Sequence, residues 1–185
     1  MRSATKEICL NTKYKVVKQD MQKRIILLNG PSSSGKSTLS KTLQGLLAAK
    51  QYGRYEIISI DDFMKIGEDE TIYEDDVFEI SGEMCEKALE ILQDASGVIV
   101  DHVITSPRIF DQFCEMLQNY SIYKVRVTCP LPVLIQREIA RKNRCIGSAE
   151  SSYTYLFPQD GYDLVVDTHE NSSEACAAEI CQAFF

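Results

Sequence analysis

Three observations predict an α/β fold, with a parallel sheet covered by helices on both faces. Short apolar runs alternate with helical patterns from residue 24 to residue 184. The first run, and the one ending at Asp101, are continuously apolar, as strands buried on both faces are. The first run also leads directly into a glycine-bounded loop and then a helix pattern, the strand–turn–helix start of a βαβ unit.

The elements follow in order. Residues 24–29 (RIILLN) form a short apolar run that is β-branched at its start and stops at Gly30, which reads as a buried strand. Residues 36–50 place Leu39, Leu43, Leu46 and Leu47 at helical spacing. Residues 55–60 are a second strand. Residues 74–94 set Val77, Ile80, Met84, Ala88, Ile91 and Leu92 on one face of a long helix. Residues 97–100 are a third strand ending in Asp101. Residues 106–119 are helical, with Pro107 tolerated in the first turn. A fourth strand spans 122–128, and a helix spans 131–143 behind the prolines Pro130 and Pro132. Residues 162–167 are the fifth strand and residues 173–184 the closing helix. No internal repeat or interdomain linker interrupts the pattern, and residues 23–185 read as one domain.

The strongest local signal is Gly30-Pro31-Ser32-Ser33-Ser34-Gly35-Lys36-Ser37, followed by Thr38, which matches G-x-x-x-x-G-K-[ST]. Gly30 and Gly35 allow backbone angles that other residues resist. The loop can then turn its N–H groups toward a phosphate at the positive end of the following helix. Pro31 has no N–H and shapes the loop without donating. Lys36 is expected at the β and γ phosphates and Ser37 on Mg²⁺. A serine-rich helix cap is the alternative, but a cap needs neither both glycines nor the lysine.

Other candidates fall at the carboxyl ends of the strands, where ligands bind in parallel sheets. Asp101 closes Gly97-Val-Ile-Val-Asp101 and is expected beside Mg²⁺ or its waters, the alternative being an ordinary strand-end acid. Asp61 and Asp62 follow the second strand. Either could take a hydroxyl proton on the acceptor side of a γ-phosphate, or both could be turn acids. Arg137, Arg141 and Arg144 stand at i, i+4 and i+7 along one helix face. Forked guanidiniums there suit phosphoryl oxygens, or simply the negative end of the helix dipole. The small, polar stretch 145–152 that follows is compatible with a mobile lid.

Composition narrows the function classes. The chain has 185 residues, 44% hydrophobic and 25% charged, with a formal charge of −7. That apolar content supports a packed core, and the acidic balance disfavours nucleic acid as a partner. Two histidines exclude histidine-rich metal chemistry. The seven cysteines are odd in number, contain no C-x-x-C and sit in apolar segments, so they read as reduced core thiols of a cytoplasmic protein. No apolar run approaches a membrane span, so no membrane partner is expected. Residues 1–22 form a basic extension; the first 24 residues hold seven basic and two acidic side chains.

With these residues in place, the chain resembles the chloramphenicol phosphotransferase family of P-loop kinases. The resemblance runs through Ile25-Ile-Leu-Leu-Asn-Gly-Pro-Ser-Ser-Ser-Gly-Lys-Ser37, Ser59-Ile-Asp61, Val98-Ile-Val-Asp-His-Val103 and Val127-Thr-Cys-Pro-Leu131. It continues through Arg137-Glu-Ile-Ala-Arg-Lys-Asn-Arg144 and Gly161-Tyr-Asp-Leu-Val-Val-Asp-Thr168. It implies a three-layer αβα, nucleoside-kinase-like fold with a five-stranded parallel sheet in order 2-3-1-4-5. It also implies ATP- and Mg²⁺-dependent phosphorylation of a hydroxyl on a small molecule. Asp61 matches the family's proposed general base. Arg141 and Arg144 match its lid arginines, with Arg137 in support and a small lid around 141–158. The adenine is expected between the lid helix and the loop after Asp167-Thr168. The chain departs from the family at Phe157, where the enzyme acting on chloramphenicol has a histidine, and through most of residues 63–95, which would shape the acceptor pocket. Another small-molecule or nucleotide kinase, or a nucleotide-dependent switch acting through a protein partner, fits the same residues. The acceptor and the oligomeric state, a homo-oligomer included, are left open.

Overall fold

The computed structural model describes residues 23–64, 73–141 and 146–185. The N-terminal extension 1–22, Arg144 and the first lid residues 142–145 lie outside them. Five strands, β1 (Arg24–Asn29), β2 (Tyr55–Ser59), β3 (Gly97–His102), β4 (Ser121–Thr128) and β5 (Leu164–Asp167), form one parallel sheet in the order β2-β3-β1-β4-β5. The helices among the described residues are α1 (Lys36–Ala49), α2 (Glu74–Asp94), α3 (Pro107–Met116), α4 (Leu131–Arg141), α5 (Ser148–Tyr155) and α6 (Ser173–Phe184).

The period-2 geometry of a strand divides the core into two layers. Ile25 and Leu27 of β1, with Val98 and Val100 of β3, point to the side covered by Met84, Ala88 and Leu92 of α2 and by Ile109 and Phe113 of α3. Ile26 and Leu28, with Ile99, point to the opposite side, against Leu39, Leu43 and Leu47 of α1 and Cys176, Ala177 and Ile180 of α6. Both faces of β1 are thus fully buried, which is why its sequence lacks polar alternation. Truncating one of these leucines to alanine costs about 2–5 kcal/mol through lost transfer energy and the cavity left behind.

Four differences from the sequence reading have local causes. β5 starts at Leu164 because Tyr162 turns its hydroxyl to Asn29 and Asp163 accepts the Lys124 N–H with its carboxylate. α3 ends at Met116, where a turn closes by the Tyr120 N–H on the Leu117 carbonyl, and β4 starts one residue early. β3 runs through Asp101 to His102, paired with Asn29 of β1. The stretch read as a polar lid contains a helix, α5, which has a weak apolar pattern of its own. Its N-terminus is held by tertiary contacts: Glu138 of α4, almost fully buried, accepts the N–H groups of Gly147 and Ala149 at 2.9 and 2.7 Å.

Because every strand is parallel, the ends of β1, β2, β3 and β5 open on one edge. From β1 the chain goes to one side for β2 and β3 and to the other for β4 and β5, and the glycine-rich loop leaves β1 at that reversal.

Candidate active site

The loop begins on a buried polar anchor. Asn29 is fully buried and donates to the Phe157 carbonyl and the Tyr162 hydroxyl at 2.8 and 2.7 Å, while its amide oxygen accepts the Ile104 N–H at 2.9 Å. One side chain thus ties the ends of β1 and β3 to the segment before β5. A Cβ on Gly30 would lie 2.3 Å from the Val127 carbonyl oxygen, so only glycine lets the loop leave β1 this close to β4. Gly35 takes φ +90° at the N-cap of α1, and Ser33 is left-handed as well at φ 65°.

Inside this turn the Ser34 N–H bonds the Pro31 carbonyl, and the buried Lys36 ammonium donates to the same carbonyl at 2.9 Å. The ammonium also stands 4.0 Å from the buried Asp101 carboxylate. The Ser37 hydroxyl donates to the other Asp101 oxygen at 2.7 Å. Behind Asp101, His102 is fully buried with Nε2 3.1 Å from the Ser81 hydroxyl of α2. Burial above all, and the nearby Lys36 charge, push its pKa down to about 4, so the imidazole is neutral at neutral pH.

One pocket opens above the loop, lined by Ser32, Ser33, Lys36, Ser37, Asp61, Asp101 and Arg141 among others. Residues that are far apart in sequence therefore face one space. Asp61 reaches it from a one-turn 3-10 helix, Ile60–Asp62, that ends β2; Asp62 is exposed and does not line it. Arg141 reaches it from the last turn of α4. Arg137, one turn earlier, does not. Its guanidinium donates to the Thr168 carbonyl at 3.0 Å and approaches the Thr168 hydroxyl and the Ser33 carbonyl at 3.4 and 3.5 Å. It braces the loop against the end of β5. Thr38 is exposed on α1, outside the pocket, and the Ser34 carbonyl accepts the Thr168 hydroxyl at 2.5 Å.

Four supporting residues were not singled out from the sequence as site residues. Asn29 and Thr168 lie within segments that carried the resemblance, but their partners are remote in sequence: 75 to 133 residues away for Asn29, and 134 for the Ser34 carbonyl that accepts the Thr168 hydroxyl. Glu138 and Ser152 lie in a helix face and a polar stretch with no local signature. Ser152 donates to the Ser148 carbonyl and accepts the Ser32 N–H at 2.8 Å, so α5 holds the loop from outside.

A serine hydroxyl and a carboxylate meeting at the base of a phosphate-sized pocket are hard oxygen donors, the set that suits Mg²⁺. Among the described residues no three His, Cys, Asp or Glu side chains converge, so a divalent ion there would draw most of its ligands from phosphates and water. No helix among the described residues is long and apolar enough to cross a membrane.

A five-stranded parallel sheet in this order, with a G-x-x-x-x-G-K-S loop leaving its central strand, defines the P-loop kinase fold. Solved structures share it. An APS kinase from Mycobacterium tuberculosis, in complex with AMPPNP and APS, superposes with a TM-score of 0.70 at 17% identity, covering 88% of this chain and 97% of that one. A gluconokinase from Sinorhizobium meliloti gives 0.63 at 18% identity over 88% and 95% of the two chains. A shikimate kinase from Acinetobacter baumannii, bound to shikimate, gives 0.58 at 19% identity over 85% and 90%. No curated protein matches by sequence. Residues 23–184 match the chloramphenicol phosphotransferase-like protein family, and the chain belongs to it. Family and fold together support a small-molecule kinase.

Proposed function

We propose that residues 23–185 form an ATP- and Mg²⁺-dependent kinase that transfers the γ-phosphate to a hydroxyl of a small molecule. The observation that carries this reading is the convergence of Lys36, Ser37, Asp101, Asp61 and Arg141 on one pocket. The phosphates lie along residues 30–38, where backbone N–H groups and the N-terminus of α1 favour anions. Lys36, held between Pro31 and Asp101, needs little movement to meet β and γ oxygens. Ser37 and Asp101 would hold Mg²⁺, which would supply positive charge against the phosphates. The adenine lies beyond Thr168, on the side of α4.

Asp61 is the general base. It reaches the pocket from the end of β2, two places from β1 in the sheet, which supports a position on the acceptor side of the γ-phosphate. The acceptor O–H gives its proton to Asp61, the oxygen bonds to the γ-phosphorus, and the bond to ADP breaks. Arg141, with Arg144 after it, steadies the charge on the phosphoryl oxygens. Residues 141–158 act as the lid, with α5 as its helical part. Arg137 contributes by positioning the loop and the end of β5.

The test is γ-phosphate transfer from labelled ATP to a panel of hydroxylated antibiotics and metabolites, chloramphenicol included. Asp61→Asn is expected to lose transfer by at least a hundredfold while keeping nucleotide affinity. Lys36→Ala is expected to lose transfer too. Unchanged turnover in Asp61→Asn would remove the base assignment.

A further inference from the structure

A second cavity, of about 290 Å³, adjoins the phosphate pocket and is not used by the chemistry above. Its walls are Glu74 and Val77 of α2, Thr105 and Ser106 of the loop after β3, and Ser151 and Tyr155 of α5. Two links join it to the phosphate pocket. Val103 lines the phosphate pocket and Thr105 the cavity, two residues on, so their Cα atoms are within about 7 Å. Ser151 lines the cavity while its neighbour Ser152 holds the Ser32 N–H of the loop. A molecule in the cavity would thus lie next to the γ-phosphate end of the site, on the same side as α2 and the loop after β3.

The character of the walls discriminates among acceptors. Among the described residues no lysine or arginine lines the cavity. The nearest cation in sequence, Arg108, is engaged by Asp75 and lies over the Phe78 ring with its guanidinium carbon 3.9 Å from the centroid. Three acids open α2, where they suit the helix dipole. Asp75 is paired with Arg108, and Asp76 accepts the Tyr73 N–H at 2.9 Å. Glu74 is the one whose residue lines the cavity. Tyr73 and Tyr155 also line the cavity, and both are about two-thirds exposed, so their ring faces are open to a ligand. Phenol faces beside a carboxylate favour a cation with an apolar body. The Glu74 carboxylate opposes a carboxylate or phosphate on the acceptor and offsets the positive end of α2 beside it.

We infer that the cavity is the acceptor subsite and that it selects a hydroxylated amine, positively charged at neutral pH, over neutral and anionic alcohols, with Glu74 as the specificity-determining residue. The inference rests on the kinase reading above and adds the substrate class to it. Glu74 would take the ammonium, the tyrosine rings and Val77 the apolar body, and Thr105, Ser106 and Ser151 hydroxyls the remaining polar groups. The reacting hydroxyl would then point past Val103 toward Asp61.

Matched compounds that differ in charge test this. One set is 2-amino-1-phenylethanol, its N-acetyl derivative and mandelate; a second is glucosamine, N-acetylglucosamine and glucuronate. Binding is measured by calorimetry on the full chain with a non-hydrolysable ATP analogue in place. The amine of at least one set is expected to bind about tenfold or more tightly than its neutral and anionic partners, with a preference that weakens as salt is raised. In Glu74→Gln the preference is expected to shrink to within threefold while affinity for the ATP analogue is unchanged; Glu74→Asp should keep much of it. Equal binding of the neutral or anionic members, or a preference that survives Glu74→Gln, would overturn the inference. Failure of the underlying kinase reading shows separately, as no binding of the ATP analogue by the unaltered chain, and takes this inference with it.

Discussion

Glu138→Ala isolates the contribution of tertiary structure to the site. The Glu138 carboxylate is almost fully buried and accepts two N–H groups at the start of α5, at 2.9 and 2.7 Å. Hydrogen bonds to a charged acceptor contribute about 1.5–3 kcal/mol each. Losing both, with partial rehydration of Gly147, which is not fully buried, should cost α5 about 3 kcal/mol of local stability. At about 1.4 kcal/mol per factor of ten, opening of the helix rises roughly a hundredfold. Native-state hydrogen exchange on a peptide spanning residues 146–157 reads this directly. Glu138→Gln keeps one acceptor oxygen and should show an intermediate increase. Because Ser152 of α5 holds the Ser32 N–H, ATP affinity should fall along with α5 protection. A uniform loss of protection across the sheet, with α5 no worse than β1, would refute the reasoning and make Glu138 a general core residue.

Three further outcomes follow from the geometry. Gly30→Ala should destabilise the protein by about 3 kcal/mol in urea unfolding, since the new methyl group would sit 2.3 Å from backbone and not from a flexible side chain. Asp101→Asn should weaken nucleotide binding in the presence of Mg²⁺ by about tenfold or more, and change it much less with EDTA present, by titration calorimetry; equal losses in both would argue against a metal role. The buried Cys85 thiol, pushed up to about 12 mainly by burial, should resist iodoacetamide at pH 8 in the native protein and react only after unfolding, as read by mass spectrometry.

The proposed site divides by the range of the forces that make it. A glycine-rich turn is a local object. Its glycines, its lysine and the apolar strand before it lie within about a dozen residues, so Gly30, Gly35, Lys36 and Ser37 are legible from one stretch of chain. Asp61 and Asp101 are legible one step further, because parallel strands deliver their ends to a common edge and an acid at such an end falls near the loop. Strand alternation separates Asp61 from Asp62 only weakly, since a one-turn helix follows the strand, and it is the resemblance that prefers Asp61. In the fold Asp61 lines the pocket and Asp62 does not.

The arginines show the limit of periodicity. Positions i and i+4 share a helix face but stand a full turn apart along the axis, about 6 Å. That difference carries Arg141 to the pocket and Arg137 to Thr168. α5 shows it again: its eight residues have little amphipathic pattern, and nothing local marks them as a helix. They are helical where a buried carboxylate on another helix accepts their first N–H groups and a loop N–H meets Ser152. By itself, then, the sequence determined the layers, the strand ends and the phosphate loop, because apolar period and turn chemistry act between near neighbours. The tertiary structure alone decided what braces the loop, that Arg137 turns to Thr168 while Arg141 lines the pocket, and which cavity lies beside it, because those depend on side chains that meet only after distant segments pack.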